Sequence, residues 1–337
     1  MTPRSRALAA SAASIPITLL GLVLVTFFIG RVMPIDPVIA IVGDHAPADV
    51  MARVRVELGL DRSLPVQLLI FLRNLLHGDL GRSVMTSNTV VADITRFFPA
   101  TMELATVAIV VAVVLGVPLG VWAAVKQGTR TDHAIRVFCL AGHSVPTFLL
   151  ALLSLLIFYA TLGWAPGTGR QDVMFDGMVP TVTGFLTVDA LLAGDWDSFY
   201  DAWAHLAQPA GVLAYFSMAY IARMTRAFML DALRGEYVTT ARAKGLSAAR
   251  VIWRHAFGNI AVRLLTVLVL TYAGLLEGAV VTETVFSWPG LGQYLTGSLL
   301  NADMNAVLGA TLVIGITYMA LNLIADGLYR LLDPRVR

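Results

Sequence analysis

The sequence predicts an all-α integral membrane protein of six transmembrane helices with both termini on the cytoplasmic side, and three observations carry that expectation. Of the 337 residues, 57% are hydrophobic and 14% charged, against about 25% charged in a soluble domain. Six apolar segments approach the ~20 residues that a bilayer crossing requires. Arginine gathers in alternate connections, which orients the chain. The net charge of +2 is too small to point to nucleic acid.

The first apolar segment, Ala7 to Gly30, follows the basic Arg4 and Arg6. That arrangement also describes a secretory signal peptide, but Phe27-Phe28-Ile29-Gly30-Arg31 offers no small-x-small cleavage pattern, so the segment reads as a retained span. Next come Leu104 to Val125, then Val137 to Trp164 with only His143 as a polar interruption. Leu206 to Ala222 is short and ends at Arg223 and Arg226. Leu264 to Phe286 holds Glu277 and Glu283, and Met304 to Ala325 ends before Asp326. The expected organisation is a tail and first span in 1–32, an external subdomain in 33–98 and a core in 99–330. The core's crossings fall near 102–125, 137–164, 206–229, 262–286 and 304–326, with an external insertion at 168–203, a cytoplasmic loop at 230–260 and a tail at 331–337.

Orientation follows from the basic residues near the span ends. They fall at the N-terminus, between the second and third spans (Lys126, Arg130, Arg136), at the C-terminus and, most densely, between the fourth and fifth spans. From Arg170 to Asp201 one arginine faces six aspartates. The long segment Val32 to Thr101 is too extended for an unstructured loop; short helices are expected there, one around Val66 to Leu76. The one cysteine, Cys139, lies in an apolar run, which excludes a disulfide framework and a cysteine metal site.

Glu236 to Val251 is a polar, basic island between two apolar segments. Its residues read as helix, turn, helix. Glu236 lies near the positive end of the first helix, and Gly245 can take the left-handed conformation that stops it. Ser247 can cap a second helix, with Leu246 stapled onto Val251. Ala241, Ala243, Ala248 and Ala249 leave a surface that another protein could approach closely. An amphipathic elbow resting on anionic headgroups would look the same at this level.

Tyr237-Val238-Thr239-Thr240-Ala241-Arg242-Ala243-Lys244-Gly245-Leu246-Ser247 resembles the cytoplasmic coupling loop of ABC-transporter permeases of the binding-protein-dependent importer class, in its dipeptide, oligopeptide and nickel branch. Where the broader family has Glu-Ala-Ala this chain has Thr239, Thr240 and Ala241, a departure the peptide branch shares. Downstream, His255-Ala256-Phe257-Gly258-Asn259 fits, whereas Arg263 stands where the branch has proline. Pro34-Ile35-Asp36-Pro37, Leu58-Gly59-Leu60-Asp61, Gly78 to Ser83, Pro99-Ala100-Thr101, Ser144 to Phe148 and Glu283 to Gly292 resemble further pieces in order. Only the insertion lies outside the resemblance.

The resemblance implies the type I ABC importer permease fold, a bacterial plasma (inner) membrane location and no catalytic residue or metal. It implies that the loop docks on an ATPase subunit through Glu236, Tyr237, Thr239, Thr240, Ala241, Ala243, Lys244, Gly245, Leu246, Ser247, Arg250 and His255. The expected partners are a second homologous permease, two ABC ATPase subunits that hold the ATP and Mg, and an external substrate-binding protein, with di- or oligopeptide as the cargo. This chain would carry no cofactor of its own.

One exclusion needs no resemblance. A phosphate-binding loop requires lysine after glycine, but the only lysines, Lys126 and Lys244, follow Val125 and Ala243. Ionisable groups inside spans by default mark function. Glu277, the most deeply placed acid, reads either as a pathway residue or as a packing carboxylate, and His143 with Ser144 at a helix irregularity as a second pathway candidate or as packing. Glu103 and Glu283 lie nearer the outer ends and read as structural. An ion-coupled secondary transporter would need broken helices in repeated halves, and no repeat is visible. An intramembrane hydrolase would need a nucleophile and base facing each other, but the adjacent His143 and Ser144 point apart on a helix.

Overall fold

The computed structural model describes residues 16–28, 37–43, 45–57 and 59–332. The tail with Arg4 and Arg6, the Pro34-Ile35-Asp36 motif, Leu58, and the terminal Arg335 and Arg337 lie outside the described residues. The helices are α1 (Pro16–Phe28), α2 (Pro37–Val42), α3 (Ala48–Glu57), α4 (Leu64–Leu76), α5 (Val90–Val125), α6 (Arg130–Ser144) and α7 (Thr147–Ser154). They continue as α8 (Leu186–Ala193), α9 (Trp196–Leu233), α10 (Glu236–Ala243), α11 (Ala248–Arg250), α12 (Phe257–Val285), α13 (Leu291–Leu300) and α14 (Met304–Leu332). Among the described residues no strand forms; one isolated bridge pairs Arg82 with Thr89.

Among the described residues, three helices are long and apolar enough to cross a membrane: Val90–Val125, Ala248–Val285 and Met304–Ala325. A fourth crossing exists if α6 and the helix through Thr161 count as one span bent by 99°. The third apolar run is therefore no single rod. Proline pushes its preceding residue out of the helical region, and Val145 before Pro146 is extended at φ −87°, ψ 128°. Beyond the break, Leu155–Thr161 widens into a π-helix. The fourth run lies inside the 38-residue α9, whose apolar stretch is diluted by His205, Gln208 and the arginines at its end. This helix begins at Trp196, so Trp196 to Trp203 belongs to it rather than to the insertion. Asp195 caps it, its carboxylate accepting from Ser198 N at 3.1 Å. Likewise α5 begins at Val90, earlier than the expected 102, and takes in residues 90–98 of the external subdomain.

The chain divides into two compact units, one up to Pro99 with Gly290–Met319, the other Ala100–Pro289 with Ala320–Arg337. In the first, two buried carboxylates hold the turn that follows α4. Asp303 accepts from Ser83 Oγ at 2.6 Å and Met85 N at 3.1 Å. Asp93 accepts from Thr86 Oγ1, from Asn88 Nδ2 at 3.1 Å and from Tyr294 OH at 3.0 Å. Buried carboxylates require such partners, which accounts for polar residues in the Gly78–Ser83 stretch. In the second unit, α5, α9 and α12 share a core that includes Leu104, Leu206, Ile221 and Ala279. Gly120 brings α5 against α9: a Cβ there would stand 2.5 Å from the Ala222 carbonyl oxygen. Small residues at helix contacts permit this closeness.

Candidate functional site

The basic island folds as an elbow closed by its own hydrogen bonds. At the end of α10, Gly245 takes φ +76°. Its N–H donates to Arg242 O at 2.9 Å, and Leu246 N–H donates to Ala241 O at 3.3 Å, the paired bonds of a Schellman motif. A Cβ on Gly245 would meet nothing within 4 Å. Glycine is thus required by backbone handedness and not by crowding.

The turn delivers Leu246 onto Val238, Ala241 and Val251, a small apolar cluster of the elbow's own. The expected staple between Leu246 and Val251 is present. The expected side-chain cap is not: Ser247 makes no cap bond, and its backbone oxygen accepts from Val251 N at 3.0 Å instead. Ala241 is buried, so it holds the two arms together and does not contribute to an outer face. Glu236, Tyr237, Thr239, Thr240, Ala243, Lys244, Ser247 and Arg250 are exposed, and His255 is half-buried. Among the described residues no ion pair engages Arg242, Lys244, Arg250 or Arg254. The outer face is therefore cationic and unneutralised.

The second arm is continuous with a candidate span. After the three residues of α11 the backbone widens into a π-helix at Val251–Ala256 and flows into α12, so Ala248–Val285 runs as one helix. π-segments inside helices frequently mark functional places. At the base of the elbow Val121, Ala124, Met229, Ala232, Ala256 and Ile260 pack together. Arg263 places its guanidinium 5.3 Å from the Phe228 ring centroid. Where the resembling branch has proline, this chain has a cation–π contact between α12 and α9.

Other motif residues meet at the ends of the same helices. Glu283 is fully buried and accepts from Thr101 Oγ1 at 2.6 Å. Trp288 donates from Nε1 to Ala100 O at 3.0 Å, so the Pro99-Ala100-Thr101 and Glu283–Gly292 pieces lock to each other. Glu103, 2% exposed, accepts from Arg170 at 2.5 Å and from Thr187 N and Oγ1 at 2.8 and 2.6 Å. Arg170 also lies 5.7 Å from the Trp288 ring. The reading of Glu103 and Glu283 as structural thus matches their contacts. Pairing of the insertion with Glu103 was not legible, because nothing in the sequence relates Arg170 to a residue 67 positions earlier.

The pathway candidates do not converge. Glu277 is exposed on α12, with no hydrogen bond or ion pair among the described residues. His143 stacks on Phe216 at 5.3 Å between centroids, and Ser144 ends α6. Sequence reasoning missed Gln208, which donates to Ser154 Oγ at 2.8 Å beside an apolar cavity of about 610 Å³.

Comparison with known proteins decides the family. Residues 116–337 match the model of the binding-protein-dependent transport system inner membrane component, and residues 6–105 match the N-terminal model of such membrane components. The chain belongs to this family. Among its relatives, the di/tripeptide transport system permease protein DppB of Pseudomonas aeruginosa is 42% identical, over 95% of both chains. The probable D,D-dipeptide transport system permease protein DdpB of Escherichia coli is 40% identical over 94% of this chain and 93% of that one. A chain of the MetNI methionine ABC transporter, solved in inward-facing conformations, shares the fold at TM-score 0.50 and 16% identity, covering 69% of this chain and 93% of that one. As an inner membrane component of such a system, this permease is not the subunit that hydrolyses ATP.

Proposed function

We propose that the chain is the transmembrane permease subunit of an ATP-driven importer of di- or oligopeptides. It crosses the inner membrane six times with both termini inside, beside a second homologous permease, and receives cargo from an external binding protein. The elbow at 236–255 docks in a groove of a separate ATPase subunit, which holds the ATP and Mg. The peptide cargo is carried over from what the curated relatives are named for. The observation that carries the coupling role is the continuity of the elbow with α12. A closed, self-stabilised turn exposes a cationic face, and its second arm is the start of a 38-residue helix. Movement of the elbow therefore has a rigid path into the spanning region, as two-state elements require.

Uptake by the purified complex in proteoliposomes tests the reading. Import of a labelled dipeptide that needs ATP, the ATPase subunits and the binding protein is the expected result. Import driven by an ion gradient without ATPase subunits would assign the chain to secondary transport.

A further inference from the structure

Helices α6 and α9 pack against each other. A cavity of about 400 Å³ opens between them, lined by α6 from His133 to His143, by α9 from Ala219 to Ala227 and by Ala123 of α5. Its lining joins the apolar Ile135, Leu140, Ala219 and Ala222 to the basic Arg136, Arg223 and Arg226. Arg226 is spent. It grips the buried Asp132 with two bonds, Nε to Oδ1 at 2.7 Å and a terminal nitrogen to Oδ2 at 2.8 Å. Arg136 and Arg223 have no carboxylate at ion-pair distance among the described residues; Arg223 rests over the Tyr220 ring at 5.4 Å. His133 and His143 also line the space, and Cys139 is buried beside it. The site thus joins two uncompensated guanidiniums to an apolar trough.

Its surroundings identify the kind of ligand. On α6, Val137 is 52% exposed and Leu140 65%, so an acyl chain lying along that helix would continue into the trough. The cations sit at the end of the spans where the connections are basic, which the proposed topology places at the inner leaflet. Guanidinium forks match phosphate oxygens, and basic pockets between spanning helices on the cytoplasmic side take anionic lipid headgroups.

We propose that this cavity binds a phosphate-bearing amphiphile, with the headgroup of an anionic inner-leaflet phospholipid on Arg136 and Arg223 and its chain against Leu140. The Arg226–Asp132 pair fixes α6 to α9 and so keeps the trough open. The inference goes beyond the transport reading, and its readout is bound lipid, so failure of one leaves the other standing.

The test uses the complete complex with its partner subunits, reconstituted in nanodiscs of phosphatidylglycerol mixed into phosphatidylcholine and analysed by native mass spectrometry. Wild type is expected to retain phosphatidylglycerol above its share of the mixture. R136Q/R223Q is expected to lose that enrichment, on the order of thirtyfold for two basic residues, and R136K/R223K to keep part of it, because lysine retains the charge and not the fork. Equal retention by wild type and R136Q/R223Q overturns the proposal. So does an absence of enrichment in wild type, the result if another subunit covers α6. Displacement by inorganic phosphate alone would assign the site to a free anion and overturn the lipid assignment. Should R136Q/R223Q fail to assemble, the single variants R136Q and R223Q decide, each expected to lose about fivefold of the enrichment, and retention equal to wild type in both overturns the proposal.

Discussion

At the residue scale, the elbow depends on one backbone angle. A side chain at φ +76° costs about 1–2 kcal/mol, and the open space around Gly245 leaves no packing to offset it. Gly245→Val should loosen the turn, while Gly245→Asn should be milder, since asparagine visits this region. Hydrogen exchange of Leu246 is the check: faster exchange in the valine variant than in the asparagine variant, and both faster than wild type. The buried Glu103 is a harder constraint. Removing one partner of a buried pair costs about 3–5 kcal/mol, so Glu103→Gln should leave Arg170 unpaired and increase proteolysis within 170–185. Unchanged proteolysis would mean that the bond from Arg170 to Gly184 O, at 2.7 Å, orders the insertion without the carboxylate. Glu277 is the opposite case, exposed and, among the described residues, without a hydrogen bond or ion pair. Glu277→Gln should leave stability unaltered and lower import; normal import across a peptide panel removes it from the pathway.

At the element scale, the insertion carries its own pH dependence. Burial pushes Asp189 upward, but the hydrogen bonds from Thr183, Gly184 and Val182 outweigh it and hold the carboxyl below its ordinary value of 3.8. A depressed carboxylate contributes stability that is complete above the ordinary value and is lost as pH falls through the lower folded one. Protection of the Val182–Gly184 amides should therefore persist at neutral pH and fall in acid, and Asp189→Asn should remove that dependence. Elements were legible from sequence where apolar runs and caps coincide. The elbow's helix, glycine and staple were all readable, because each is local. The long reach of α5 was not, since its extra turns are held by partners distant in sequence, such as Tyr294 on Asp93. The irregularity at His143 and Ser144 was readable, whereas its bend of 99° was not, because an apolar run says nothing of its own direction.

At the scale of the whole molecule, the family was legible from collinear motifs, and the structure explains why several of them recur together in this chain. Ala100 with Trp288 and Thr101 with Glu283 are single contacts written twice in the sequence, 188 and 182 residues apart. What composition could not supply is the mechanical path. A basic loop resting on headgroups needs only charge; a Schellman turn, its private apolar cluster and the run into α12 are what support the lever proposed above. Coupling stoichiometry tests that lever: peptides imported per ATP hydrolysed by the complete complex in proteoliposomes, for wild type and for Gly245→Val. The account predicts that the variant inserts, assembles and still hydrolyses ATP while its import per ATP falls by about tenfold, roughly the cost of the strained turn. An import-to-hydrolysis ratio equal to that of wild type, with the turn shown to be loosened, would contradict it.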